Sequence, residues 1–295
     1  MIMNLQIPVA LSGCRLDDAL AGQAAISKGE ARRIIDRGGC AVNQSMVRVA
    51  SRAVKAGDLL TVGVMQPGEF RELVLGPEAI VYQDRDILAV SKPSGIASQR
   101  TPYQLKGTLE YWVGEEFARQ GVSEPVRVVH RLDRGTSGLM LFPKHRQAAA
   151  YLSELFKLAR IQKRYLALVT GVPQAEQWSA DGPIGKVAPS RYGVMDGGRQ
   201  ARTMFRSLGT HGDRTLVEAQ PLTGRTHQIR VHLAAAGLPI VGDQSYGGAT
   251  ASRLMLHCVG LSFDRMDGHP LALTAVPGQD FCQPCGDCWP SALVL

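Results

Sequence analysis

Two short stretches concentrate the side chains able to do acid, base or nucleophilic chemistry. The first, His130-Arg131-Leu132-Asp133-Arg134-Gly135-Thr136-Ser137-Gly138, runs straight into an apolar segment. A polar run feeding a buried strand sets its side chains at the strand's mouth, where ligands commonly bind. Asp133 stands between Arg131 and Arg134, and neighbouring positive charge favours an ionised carboxylate. Such a group can act as a nucleophile or stabilise a developing cation. In isolation it can equally well do no more than cap backbone N–H groups in a turn. His130, Asp133 and Ser137 also invite a hydrolase-triad reading. A nucleophile elbow needs Gly-x-Ser-x-Gly, however, and here Gly138 follows Ser137 at once.

The second stretch is Thr223-Gly224-Arg225-Thr226-His227-Gln228-Ile229-Arg230-Val231-His232. Thr223-Gly224 turns the chain, Thr226 reads as an N-cap, and the spacing predicts a helix over 226–236 closed by Gly237. His227, Arg230 and Ala234 then share one face. An Arg buried on that face needs an anionic partner, because an unpaired buried charge is costly. Asp133 is the candidate, and a purely structural Arg–Asp pair is the competing reading.

The elements that must carry these stretches follow from periodicity and punctuation. Ile87 to Val90 reads as a strand stopped by Lys92-Pro93-Ser94-Gly95, and Gly138 to Phe142 as another. Arg146 to Ala159 reads as a helix with Ala149, Leu152, Phe156 and Ala159 on one stripe. Tyr165 to Val169 and Thr215 to Ala219 read as strands. Strands outnumber helices without strict alternation, which indicates an α+β fold on a mixed or antiparallel sheet. No phosphate loop, dinucleotide fingerprint or His-Glu-x-x-His helix occurs, which argues against nucleotide hydrolysis and cofactor-driven chemistry.

The 295 residues fit one large domain or two ordinary ones, and 45% hydrophobic content is enough for a core. The formal net charge of +7 favours a polyanionic partner. Much of that charge is local: between residues 28 and 55, seven basic side chains face two acidic ones. Helices are expected over 15–24 and 28–37, with Leu16, Leu20, Ala31, Ile34 and Ile35 inward and Gly38-Gly39 ending the second. Lys28, Arg32, Arg33 and Arg37 can then line a helix side suited to phosphates. Met65 to Gly76 reads as a linker, which divides the chain into 1–68, 69–281 and a cysteine-bearing tail, 282–295.

No stretch approaches the roughly 20 apolar residues of a membrane helix, and the N-terminus lacks a signal peptide's positive start. Cys14, Cys40 and Cys258 are scattered, as buried small hydrophobes are. Cys282, Cys285 and Cys288 form a Cys-x-x-Cys-x-x-Cys cluster that His257 or His269 would have to complete. The second cysteine pair of a zinc site is missing, so no metal is expected. A reducing cytoplasm is the expected setting.

These pieces carry two resemblances. Arg15-Leu16-Asp17, Ile34-Ile35, Gly39-Cys40-Ala41-Val42-Asn43 and Gly57-Asp58 resemble the small alpha-L (S4-like) RNA-binding module, with Lys28-Gly29 and Gln44 departing from its pattern. Six ordered pieces resemble the RluA-type RNA pseudouridine synthases: Lys92 to Gly95, His130 to Gly138, Lys163-Arg164-Tyr165, Thr223 to His232, Gly242-Asp243 with Tyr246-Gly247, and Leu256-His257. They span most of residues 80 to 281. Gly135 replaces a commonly acidic residue, and the cysteine tail is peculiar to this chain.

The second resemblance implies isomerisation of uridine within RNA to pseudouridine, without cofactor or metal, by a usually monomeric enzyme. It implies that Asp133 is the catalytic carboxylate, Tyr165 the residue stacking on the target base, and Arg230 the carboxylate's basic partner. Arg131 would replace the flipped base in its stack, with His130, Arg225 and His227 completing the RNA-facing set. Flipping costs a few kcal/mol that such contacts must offset. The N-terminal module favours ribosomal RNA over transfer RNA as the substrate. A non-catalytic RNA-binding or ribosome-assembly protein is the alternative, although such a protein would have no need of Asp133, Tyr165 and Arg230 together.

Overall fold

The computed structural model describes residues 2–63, 73–100, 104, 106–189 and 191–289. They fall into two compact units, one formed by residues up to 75 together with 97–120, the other by 76–96 and 121 onward. The expected boundary at 68/69, most of the linker and residues 290–295 lie outside the described residues.

In the first unit, β1 (Ile2–Gln6), β2 (Cys40–Val42), β3 (Ser45–Met46) and β4 (Leu59–Gly63) form a sheet ordered β1-β4-β2-β3. Two helices accompany it, α1 (Leu16–Ala24) and α2 (Lys28–Asp36). Ser27 caps α2 by accepting the Glu30 N–H at 3.2 Å, the first half of a Ser-x-x-Glu capping pattern. The expected apolar face is the core: Leu16, Leu20, Ala31, Ile34 and Ile35 are all buried. A third helix, α3 (Leu109–Arg119), belongs to this unit, and nearby Lys106 reaches Asp36 at 2.8 Å.

The basic side chains of this unit are arranged differently from the sequence expectation. Lys28 pairs with Asp18 at 2.5 Å and Arg32 with Asp17 at 2.7 Å. Asp17 is wholly buried and also takes two hydrogen bonds from Arg15, which hold its carboxyl well below the usual carboxylate range. Arg37 is buried, only 6% exposed, and so does not line the exposed helix side with the others. The reason is that α1 presents its own aspartates to α2, a pairing that charge counting along one helix does not see. Exposed cations that remain are Arg33, Arg48, Arg52 and Lys55.

The second unit is built on a nine-stranded sheet. Its strands are β5 (Ile80–Gln83), β6 (Ile87–Lys92), β7 (Ser137–Pro143), β8 (Gln162–Thr170), β9 (Gln177–Asp181), β12 (Arg202–His211), β13 (Arg214–Pro221), β14 (Leu256–Asp264) and β15 (Pro270–Thr274). The order is β5-β6-β7-β14-β8-β13-β12-β9, with β15 pairing the far part of β14. Every pairing in it is antiparallel except β7 with β14, so the sheet is mixed, as expected for α+β. A separate hairpin comprises β10 (Ile184–Ala188) and β11 (Arg191–Val194). Helices α4 (Arg146–Lys157), α5 (Gln228–Ala235) and α6 (Gln279–Cys285) complete the unit.

Three local expectations need correction. Helix α4 ends at Lys157, and its buried stripe is Ala148, Ala149, Leu152 and Leu155, because Phe156 turns aside to stack on His130. Helix α5 starts two residues late, and Thr226 does not cap it: His227 occupies the N-cap in a left-handed conformation (φ 57°). The Gln228 side chain holds this turn instead, accepting from Thr223 Oγ1 at 2.7 Å and from the Arg225 N–H at 3.0 Å. Finally, the cysteine segment is core rather than tail. Phe281, Cys285 and Cys288 pack with Leu166, Phe205 and Leu216. The thiols of Cys282, Cys285 and Cys288 turn to the separate carbonyls of Pro277, Phe281 and Arg214. Among the described residues no cluster of His, Cys, Asp or Glu is arranged to hold a metal ion, and no helix is long and apolar enough to cross a membrane.

Candidate active site

Asp133 lies in the turn before β7, where the Thr136 N–H donates to its carbonyl at 3.0 Å. The Lys92-to-Gly95 segment at the end of β6 clamps that turn from behind. Gly95 N–H donates to Arg134 O at 2.8 Å, Arg134 Nε returns to Gly95 O at 2.8 Å, and the Ser94 hydroxyl donates to Gly135 O at 2.6 Å. The fully buried Lys92 amine donates to the carbonyls of Pro93, Ile96 and Arg134 at 3.0, 2.8 and 3.2 Å. Burial, then the nearby Arg253, push that amine down to about 7, and Asp133 opposes them. Three carbonyl acceptors use all three protons of an ammonium, so the geometry requires the charged form.

Sheet register brings the tyrosine to the carboxylate. Gly138 on β7 pairs with Cys258 on β14, which pairs in turn with Tyr165 on β8. Gly138 has φ 109°, and a Cβ there would stand 2.2 Å from the Cys258 carbonyl oxygen, so only glycine permits this close approach. Burial first, then the neighbouring Cys258 thiol and Asp133, push the Tyr165 pKa well above 10.

Arg230 on α5 is the hub. Its Nη1 donates to Asp133 Oδ2 at 3.1 Å, while Nε and Nη2 donate to the two oxygens of Asp243 at 2.6 and 2.8 Å. The guanidinium stacks on the Tyr246 ring at 4.9 Å. Despite burial, the two carboxylates hold it firmly charged. His227 Nε2 lies 3.6 Å from the same Asp133 Oδ2, and its Nδ1 is 2.8 Å from the Tyr246 hydroxyl. A groove of about 640 Å³ opens over these groups, lined by Arg131, Asp133, Tyr165, Lys163, Arg199 and Arg225 among others. Its cations outnumber its one carboxylate, and mutual repulsion from Arg199 adds to burial in lowering the Arg225 pKa.

The structure therefore brings together Asp133, Tyr165, Arg230, His227, Arg225 and the exposed Arg131 around one groove. His130 also borders it, but its Nε2 accepts the Leu141 N–H at 2.8 Å and its ring stacks on Phe156 at 4.4 Å. That ring is committed to holding β7. No triad forms: the buried Ser137 hydroxyl contacts His257 Nδ1 at 2.7 Å and receives Arg253, away from His130. His257 is likewise committed, donating from Nε2 to Ala275 O at 2.9 Å, so it is no ligand for the cysteines. Sequence reasoning from charge alone overlooked Asp243, Gln228, Lys92 and Tyr246. Their only signal was position, since all four lie in the motif pieces quoted above.

A sequence model described as RNA pseudouridylate synthase matches residues 86–235. An uncharacterised RNA pseudouridine synthase of Chloroflexus aurantiacus is 37% identical over 266 residues, covering 86% of this chain and 83% of the relative. The ribosomal large subunit pseudouridine synthase C of Vibrio cholerae is 34% identical over 285 residues, 89% of each chain. Among solved structures, human RNA pseudouridylate synthase domain containing 1 superposes with a TM-score of 0.60 at 28% identity, covering 74% of this chain and 91% of that one. On these grounds the chain belongs to the RNA pseudouridylate synthase family, and is an enzyme that isomerises uridine in RNA to pseudouridine.

Proposed function

We propose that the enzyme modifies ribosomal RNA, with Asp133 as its catalytic carboxylate. The observation that carries this reading is the convergence of Asp133, Arg230 and Tyr165 on one cation-lined groove from three separated parts of the chain. Asp133 Oδ2 is held by Arg230, so the carboxylate is oriented before substrate arrives. Tyr165 stays a neutral phenol with an apolar ring toward the groove, a shelf on which a detached uracil can remain while it turns. Arg131, exposed at the groove, supplies a planar cation to fill the gap left by a flipped base. Lys163, Arg199 and Arg225 meet phosphates.

The substrate assignment rests on the Vibrio relative, whose name specifies the large ribosomal subunit, and on an N-terminal module suited to structured RNA. In this reading residues 1–68 are an S4-like RNA-binding domain that adds salt-dependent affinity, and the enzyme works as a monomer in the cytoplasm. Pseudouridine mapping of total RNA from cells with and without the gene, complemented by wild type or Asp133→Asn, tests it. A ribosomal position that vanishes on deletion and returns only with wild type is the expected result. If the lost position is in transfer RNA, the substrate assignment fails. If Asp133→Asn restores the mark, the catalytic assignment fails.

A further inference from the structure

Among the described residues, His227 and Arg230 are the two basic side chains paired with the Asp133 carboxylate, and both approach the same oxygen, Oδ2. Its ring is held by an ordered hydrogen-bond chain. The Tyr192 backbone N–H, on β11, donates to the Tyr246 hydroxyl at 3.0 Å, and that hydroxyl lies 2.8 Å from His227 Nδ1. A phenol has one proton to donate. Were Nδ1 protonated, the Tyr246 oxygen would accept twice and its own proton would have no acceptor among the described residues. Full use of the donors therefore runs from Tyr192 N–H to Tyr246 Oη, and from Tyr246 O–H to Nδ1. The imidazole proton is then on Nε2, pointing at Asp133.

The rings support this arrangement mechanically. Tyr192 and Tyr246 meet the imidazole edge-on, with centroids 5.5 and 5.7 Å away. His227 itself sits in the left-handed region at φ 57°, a conformation unfavourable for a non-glycine residue and retained where surroundings require it. Charged groups act on the ring from several elements. Asp133 and Asp243 favour its protonation, Arg230 and Arg131 oppose it, and burial, the largest influence, joins the two arginines in favouring the neutral form.

We propose that His227 is a positioning residue, held by Tyr246 as the neutral Nε2–H tautomer, which with Arg230 fixes Asp133 through Oδ2 and so leaves Oδ1 as the reacting oxygen. The 3.6 Å separation is within the range that tightens into a hydrogen bond in substrate complexes, since contacts in unliganded sites are commonly long. This rests on the assignment of Asp133 as the catalytic carboxylate.

Two measurements test it independently. In the full-length enzyme labelled with nitrogen-15 histidine, NMR reads the tautomer directly, with His227→Gln supplying the assignment. A protonated Nε2 and a bare Nδ1 are expected, and a protonated Nδ1 in wild type would overturn the proposal whatever Asp133 does. Single-turnover kinetics on a uridine-containing RNA substrate then compare His227→Gln, which keeps an N–H donor near the Nε2 position, with His227→Leu, which does not. Both replace one non-glycine residue by another at the same φ. The expected loss for His227→Leu is about 10-fold or more in rate with unchanged RNA affinity, the scale of one hydrogen bond to a charged group, and His227→Gln should recover most of it. Equal losses in the two variants, or none in either, would sink the idea.

Tyr246→Phe keeps the ring under Arg230 but removes the hydroxyl, and it guards against a misfolded His227 variant. Only protonation then guarantees an N–H toward Asp133, and burial moves that protonation below the ordinary imidazole range, so the deficit should shrink as pH falls below about 6. A deficit independent of pH would count against the tautomer role. Residual turnover in Asp133→Asn, by contrast, would remove the catalytic assignment while leaving the tautomer result standing.

Discussion

Arg230 holds two carboxylates at once: Asp243 by a bidentate pair at 2.6 and 2.8 Å, and Asp133 by a single bond of 3.1 Å. The two contacts are unequal in kind as well as in number. Asp243 is only 1% exposed and belongs permanently to the guanidinium, whereas Asp133 is 22% exposed and faces the groove. One buried carboxylate thus anchors the cation that orients the other, and the anchor lies far from Asp133 in sequence.

Asp243→Ala should therefore harm both fold and activity. Removing one member of a buried pair leaves an uncompensated charge, at a cost of about 3–5 kcal/mol. Urea unfolding should give that loss, with a fall in turnover that persists where the variant is still fully folded. A variant of wild-type stability would show that Arg230 does not depend on Asp243.

Asp133→Asn should fold, bind RNA as wild type does and form no pseudouridine. The change keeps the side chain's size and leaves the Lys92 and Ser94 clamps, which reach this turn through the backbone carbonyls of residues 134 and 135. Release of tritium from 5-tritiated uridine in RNA, or direct mapping, measures the outcome.

Tyr165 should not titrate in the working range. Burial raises its pKa above the unfolded value of about 10, so the folded chain keeps a proton that the unfolded chain releases above that pH. Its contribution to stability is complete below about pH 10 and declines above it. Turnover between about pH 7 and 9 should show no limb that disappears in Tyr165→Phe.

Charge reversal at Arg33, Arg48, Arg52 and Lys55 should weaken RNA binding without changing the single-turnover rate at saturation. These four cations are exposed, whereas Lys28 and Arg32 are already paired. Removing four phosphate contacts should lower the slope of log affinity against log salt by roughly 3. An unchanged slope would mean that phosphates are met elsewhere.

Thiol alkylation should divide the cysteines by burial. Burial pushes Cys285 and Cys258 up to about 12 and Cys40 up to about 11, so all three should resist iodoacetamide until the chain unfolds. Cys14 and Cys282, partly exposed, should react first, which mass spectrometry of the native protein can count.

The sequence alone determined the local alphabet of this protein. Period and punctuation identify α1, α2 and the strands β6, β7, β8 and β13, because apolar spacing and turn residues act within a few residues. The strong motifs around Asp133 and Arg230 also mark the chemistry and the family, since those side chains must be particular types at particular spacings. The expectation that Arg230 needs Asp133 was reachable from the cost of a buried charge. Three things were decided only by tertiary structure. Asp243 outbids Asp133 for Arg230, Asp17 and Asp18 take up part of the basic helix, and the cysteine segment closes the core beside Phe205 and Leu216. Each depends on which side chain arrives opposite another from a distant strand or helix. Electrostatic and packing energies act through space over a few ångströms, and position along the chain carries no measure of that distance.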